Sequence, residues 1–255
     1  MKLAISGKGG TGKTTLTALL AKYWAQKGKD VIAVDADPDA NLAGALGIPA
    51  QTQITPISEM RQFILDRTDA KEGYGSYFKL NPKVDDIPER FSHKIDGIRL
   101  LVLGGAATGG GGCICPESAL LKALVTHLLL TPEQIVILDM EAGVEHLSRA
   151  TAKAVSTMIV VTEPGQRSVQ TALNVRRLAK QIGIDKVAAV INKLPEGLDT
   201  ASLESLLDDL PLLGTLPYDP AIARSDLDGR SCWLDTPEQR RYVEQIAQAL
   251  WPETS

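Results

Sequence analysis

The sequence predicts an α/β fold: one domain with a mostly parallel twisted sheet and helices on both faces. Three observations predict it. Short, near-continuous apolar runs recur along the chain, helical periodicities fall between them, and a glycine-rich loop joins the first apolar run to the first helix. Runs without polar alternation are buried on both faces, the condition of a parallel strand covered by crossover helices.

The first run, residues 2–6 (KLAIS), reads as a buried strand. A helix follows from about Lys13, because Leu16, Leu19, Leu20, Tyr23 and Trp24 recur on one helical face, and Gly28 ends it. The second strand is VIAVDA at 31–36, and 56–68 reads as helical. Further strands are expected at 98–103, 135–140, 156–162, 187–191 and 212–216, with helices at 116–130, 166–182 and about 236–251. Residues 70–97 carry no regular pattern. No Pro-, Gly- or Ser-rich linker and no repeat divides the chain, so residues 1–255 read as one domain.

Composition excludes several function classes. The formal net charge is -4 over 255 residues, which argues against the positive face that a nucleic-acid backbone needs. No apolar run reaches the roughly 18 residues of a membrane span. The apolar start is too short for a signal peptide and runs into the glycine loop. Three cysteines make no disulfide framework, and a reduced, cytoplasmic protein is expected, with no nucleic-acid or membrane partner.

Of 22 glycines, four fall within residues 7–12 and six within 104–112. The first cluster, GKGGTGKT at 7–14, matches the P-loop pattern at Gly7, Gly12, Lys13 and Thr14. Its N–H groups can converge on phosphate oxygens at a helix N-terminus. Gly9, Gly10, Thr11, Gly12, Lys13, Thr14 and Thr15 are therefore the candidate nucleotide contacts. Lys13 is placed to reach the β- and γ-phosphates, and the Thr14 hydroxyl suits Mg²⁺.

Lys8, directly after the first glycine, makes the loop resemble the deviant P-loop of one ATPase family. That family holds the nitrogenase iron protein, the septum-site and partition ATPases, and the arsenite and tail-anchored-protein ATPases. The resemblance implies an ATP-dependent homodimer in which Lys8 reaches the partner's nucleotide. It also implies that Asp37, in Asp35-Ala36-Asp37-Pro38-Asp39, positions the attacking water in switch I. Asp139 becomes the Walker B carboxylate that holds Mg²⁺ through water, and Gly143 the switch II glycine. Strand periodicity puts Asp35 and Asp37 on one side if the second strand persists that far. Glu141 is an extra carboxylate, so the acid that acts on water is either Asp37 or Glu141.

Asn192 and Lys193 close the strand VAAVIN, and Pro195 stands where a guanine-reading acid would be. Asn192 can hydrogen-bond an adenine edge. Leu216-Pro217-Tyr218-Asp219 resembles the family's adenine-covering loop, so Pro217 and Tyr218 are further base contacts. ATP is expected rather than GTP.

The second glycine cluster runs into Cys113-Ile114-Cys115-Pro116. Pro116 suits a first helical position, ahead of the stripe Leu120, Leu121, Leu124 and Leu128. That puts Cys115 at the N-cap, where the helix dipole favours the metal-binding thiolate. In extended backbone, Cys113 and Cys115 point the same way at roughly 6.6 Å between Cα atoms. A closed tetrahedral site needs four ligands, which a twofold axis beside this loop would supply from two chains.

The order of motifs along the chain, with GGGGCICPESALL, DMEAGVEHLSRATAKAV, VINK and LPYD, closely resembles the nickel-insertion accessory ATPases of carbon monoxide dehydrogenase and acetyl-CoA synthase. The resemblance implies Ni²⁺ or Zn²⁺ bound by Cys113 and Cys115 at a dimer interface, and apo carbon monoxide dehydrogenase or acetyl-CoA synthase as client. Two alternatives stay open. One is an electron-transfer ATPase with a cysteine-held iron–sulfur cluster, Cys232 included. The other is a positioning ATPase of the septum or partition type, although Tyr242, Val243, Ile246 and Leu250 of the last helix read as core packing.

Overall fold

The structure, a computed structural model, describes residues 1–71, 77–104, 115–132, 134–141, 147, 149–231 and 236–252. Seven strands run parallel: β1 (Lys2–Gly7), β2 (Val31–Asp35), β4 (Ile98–Val102), β5 (Ile135–Asp139), β6 (Thr157–Thr162), β7 (Val187–Leu194) and β8 (Leu212–Pro217). A short antiparallel strand, β3 (His93–Ile95), closes one edge. The sheet order is β3-β4-β2-β5-β1-β6-β7-β8. From β1 the chain moves to β2 toward one edge, and from β5 it crosses β1 to β6 toward the other, so the order reverses beside β1 at the switch point of a doubly wound sheet, where ligands bind beyond the strands' C-terminal ends.

Alternation along the strands builds two cores. On one face Leu3, Ile5, Val31 and Ala33 meet α1 (Lys13–Gln26), α2 (Leu42–Leu46) and α10 (Pro237–Leu250). Leu16, Leu19, Leu20 and Trp24 are the buried stripe of α1, and Val243 and Ile246 that of α10. On the other face Ala4, Ile32 and Val34 meet α3 (Arg61–Thr68), α4 (Ile87–Phe91), α5 (Pro116–Leu130), α6 (Arg149–Ala152), α7 (Gln166–Ile182) and α8 (Thr200–Leu206). Each fully buried Leu or Ile contributes about 1.5–3 kcal/mol.

Several elements differ from the sequence reading. The expected helix at 56–68 divides into a 3-10 turn at Ile57–Glu59 and α3. Within 70–97 the chain forms α4 and β3. The helices α2, α6, α8 and α9 (Pro220–Leu227) are too short for a periodic pattern to announce them. No helix among the described residues is long and apolar enough to cross a membrane.

Candidate functional site

The C-terminal ends of β1, β2, β5, β6 and β7 lie along one edge of the sheet, and the candidate residues gather there. Between β1 and α1, the loop turns through positive φ at Gly10 (81°) and Gly12 (92°). A Cβ on Gly12 would lie 2.1 Å from the Asn192 side-chain nitrogen, so only glycine fits. α1 begins with no side-chain cap, which leaves its first N–H groups free to receive an anion. Lys13 is buried at the helix start, Thr14 and Thr15 are half-buried, and Lys8, Gly9 and Gly10 are exposed. Lys8 stands beside a hollow that Glu163 and Arg167 also line, at the start of α7.

Four of the loop's carbonyls are occupied from behind. Lys8 O accepts from the Thr11 amide (3.2 Å) and hydroxyl (2.8 Å), and Gly12 O accepts from Leu16 N (2.9 Å). Thr11 O accepts from the Asn192 amide nitrogen (2.8 Å), and Gly10 O accepts from Lys193 Nζ (2.6 Å).

The two acid clusters arrive on neighbouring strands. Asp35 and Asp139 are register partners in the β2–β5 ladder, and both are fully buried. The expectation that Asp35 and Asp37 share one side of a persisting strand is corrected: β2 ends at Asp35 and the backbone turns. Asp35 Oδ1 accepts from Asp37 N (3.2 Å), and its Oδ2 accepts from Leu42 N at the start of α2 (2.9 Å). Asp35 thus ties down the 36–41 loop, and the half-buried Asp37 stands free of the sheet. Burial pushes the Asp35 carboxyl up to about 6, against the pull of the Leu42 and Asp37 amides.

Asp139 has no hydrogen-bond donor on either oxygen. Burial pushes it up to about 7, opposed by the nearby Thr14 hydroxyl and reinforced by Asp35. Neither the Thr14 hydroxyl nor the Lys13 ammonium donates a hydrogen bond to it. A buried, unsatisfied carboxylate beside a threonine hydroxyl has the donor chemistry of a hard divalent cation site. Thr14 and Asp139 fit Mg²⁺. Glu141 is exposed, and its carbonyl accepts from Ser6 Oγ (3.0 Å), which ties the segment after β5 to β1. Gly143 lies outside the described residues.

Cys115 is the N-cap of α5, with Pro116 at the first helical position. Its Sγ accepts from Ser118 N at 3.4 Å, and the residue is half-buried. Cys113 and Cys232 lie outside the described residues.

Among the base contacts, Tyr218 is 60% exposed beyond β8, and its amide donates to Leu194 O (2.9 Å). Pro217 ends β8. Asn192 stands near the end of β7. It is buried, its amide nitrogen holds Thr11 O, and its Oδ1 accepts from Lys193 N (2.9 Å). Lys193 and Glu163 were not among the expected site residues. The one signal for Lys193 was its place beside Asn192 at a strand end.

The chain matches the CobQ/CobB/MinD/ParA nucleotide binding domain over residues 2–232. It is 43% identical over 98% of its length to the carbon monoxide dehydrogenase accessory protein CooC of Rhodospirillum rubrum, covering 96% of that protein. An uncharacterized ATP-binding protein of Methanocaldococcus jannaschii is 42% identical over 96% of both chains. In fold the chain is similar to the MinD cell division protein of Aquifex aeolicus, with a TM-score of 0.70 at 20% identity, covering 100% of this chain and 98% of that one. It is also similar to septum site-determining MinD of Pyrococcus horikoshii in complex with Mg-ADP, with a TM-score of 0.66 at 19% identity over 98% and 96% of the chains. The chain therefore belongs to the CobQ/CobB/MinD/ParA nucleotide-binding domain family and is an ATPase of the branch that includes the carbon monoxide dehydrogenase accessory protein.

Proposed function

We propose that this ATPase is a metallochaperone: it binds nickel or zinc through Cys113 and Cys115 at a homodimer interface. It assists nickel insertion into apo carbon monoxide dehydrogenase or acetyl-CoA synthase. The observation that carries the reading is Cys115 at the N-cap of α5, a partly exposed thiol at the positive end of a 15-residue helix. The 43% identity to a carbon monoxide dehydrogenase accessory protein supports the client class.

In this reading the loop amides, Lys13, Thr14 and Thr15 hold the triphosphate of ATP. Lys8, exposed at the rim, reaches the partner's nucleotide. Thr14 and Asp139 hold Mg²⁺, which neutralises charge on the phosphate oxygens. Asp37, on a turn held by Asp35, orients the attacking water. Pro217 and the exposed Tyr218 cover the base. One chain supplies two thiolates, so a four-thiolate metal site needs the second copy that Lys8 also needs. Loss of the γ-phosphate then relaxes the 36–41 and post-β5 segments and changes how the two halves of the metal site meet.

The test is activation of nickel-free carbon monoxide dehydrogenase by nickel-loaded protein and MgATP under anaerobic conditions. Activation that is lost in Cys115→Ser and in Lys13→Ala supports the proposal. Equal activation by the variants and by free Ni²⁺ would refute it.

A further inference from the structure

The segment after β8 carries Tyr218 and α9 beyond the strand ends, and it has little of its own to hold it there. At its near end the Tyr218 amide donates to Leu194 O (2.9 Å). Asp219 Oδ1 then caps α9 by accepting from Ala221 N (2.8 Å). α9 is eight residues long, too short to be stable without packing. Ile222 packs against the core, but Pro220, Ala221, Ala223 and Arg224 are exposed and Leu227 is 87% exposed.

The far end is seated. The chain turns at Gly229 (φ 61°), Arg230 N donates to Ser225 O (2.8 Å), and Ser231 enters a notch between α1 and α2. On the α1 side, Ser231 Oγ accepts from Lys22 Nζ. Lys22 is only 6% exposed, and an ammonium so buried must aim its protons at protein acceptors. On the α2 side, Gly47 ends the helix at φ 90°. A Cβ there would lie 2.8 Å from Ser231 Cβ and 3.2 Å from its Cα, so only glycine admits Ser231. Lys22 stands eight residues along α1 from Thr14, roughly 12 Å by helical rise, so it serves no phosphate.

We infer that Lys22 and Gly47 form a socket for Ser231, and that this socket anchors residues 218–231 as a strap over the nucleotide base. Lys22 is then a positioning residue that acts on the base through Ser231. The inference rests on the reading of Pro217 and Tyr218 as the base cover. The anchor pre-forms one side of the base site and leaves the phosphate loop alone. Its loss weakens ligands that carry a base and spares those that do not. Substrate and transition state lose the same contact, so KM rises and kcat holds.

The test uses the full chain, MgATP hydrolysis, and inorganic tripolyphosphate as a competitive inhibitor that has no base. Lys22→Met is expected to raise KM for ATP about tenfold, with kcat and the tripolyphosphate inhibition constant both within about twofold of wild type. Ser231→Ala removes the acceptor, leaves α1 intact and gives the same pattern. The double variant is no weaker than either single one, because both remove one contact. Trypsin reads the anchor directly. Cleavage at the exposed Arg224 and Arg230 of the nucleotide-free protein is expected to be at least about threefold faster in both variants. Three results overturn the inference: equal loss of ATP and tripolyphosphate affinity, which marks a distorted α1; unchanged KM for ATP in both variants; or unchanged cleavage. Tyr218→Ala with unchanged KM for ATP would instead overturn the base-cover reading itself.

Discussion

Asp35 and Asp139 face each other across the β2–β5 ladder as register partners, both fully buried beside the phosphate loop. They differ in what surrounds them. Asp35 has two backbone amides on its oxygens, and Asp139 has no donor. The structure thus uses one acid to hold a turn and gives the other no donor of its own.

This pair sets a pH dependence. Both folded-state values, about 6 and about 7, lie above the ordinary carboxylate value. The folded, metal-free protein therefore keeps protons that the unfolded chain has released, and stability falls as pH rises from about 4 to 7. Asp139→Asn is expected to stabilise the metal-free protein at pH 8 by about 2 kcal/mol and to abolish Mg²⁺-dependent ATP hydrolysis. Urea denaturation at pH 5 and pH 8, without metal or nucleotide, checks it. An Asp139→Asn chain less stable than wild type at pH 8 would contradict the burial argument.

Two loop glycines with similar φ values predict unequal costs. A Cβ on Gly10 meets nothing within 4 Å, so Gly10→Ala without nucleotide costs the left-handed strain alone, about 1 kcal/mol. Gly12→Ala adds the collision with Asn192 and costs at least about 2 kcal/mol more. Thermal melts of the two variants decide it, and equal shifts would contradict the placement of Asn192.

Cys115 has a capping role that can be separated from a metal role. Serine is the better N-cap, so Cys115→Ser retains stability or gains up to about 1 kcal/mol, whereas Cys115→Ala loses about 0.5 kcal/mol. Both are expected to lose thiolate metal binding. Guanidinium denaturation beside a metal titration compares them, and metal binding retained in the serine variant would exclude Cys115 as a ligand.

The last helix is core. Ile246 is fully buried, and its Cγ1 lies 2.8 Å from where a Cβ on Gly214 of β8 would stand. Ile246→Ala is expected to cost about 3 kcal/mol. Sedimentation with anionic vesicles is expected to leave the wild-type chain in the supernatant, and co-sedimentation would point to a membrane role for α10.

Much of the fold was legible because long elements carry their own period. The five-residue face of α1 and the apolar runs of the parallel strands are direct consequences of burial. The hairpin of β3 and β4 was not read from the sequence, because β3 is only three residues long; its turn is Asp96-Gly97, both at positive φ (48° and 78°). The site divides in the same way. A phosphate loop is local in sequence, and so is the capping position of Cys115. The bend after Asp35 depends on which amides its carboxylate captures, Leu42 N among them. The contacts of Asn192 and Lys193 with Thr11 O and Gly10 O join positions far apart in the chain, which no local pattern contains.

The proposed function requires a thiolate metal site shared by two copies of this chain. Its most direct test is an anaerobic Ni²⁺ titration of reduced, metal-free protein, followed by sulfur-to-nickel charge-transfer absorbance. Saturation is expected at about one Ni²⁺ per two chains, abolished in Cys115→Ala. Binding that is unchanged in that variant, or no thiolate-dependent absorbance at all, would contradict it.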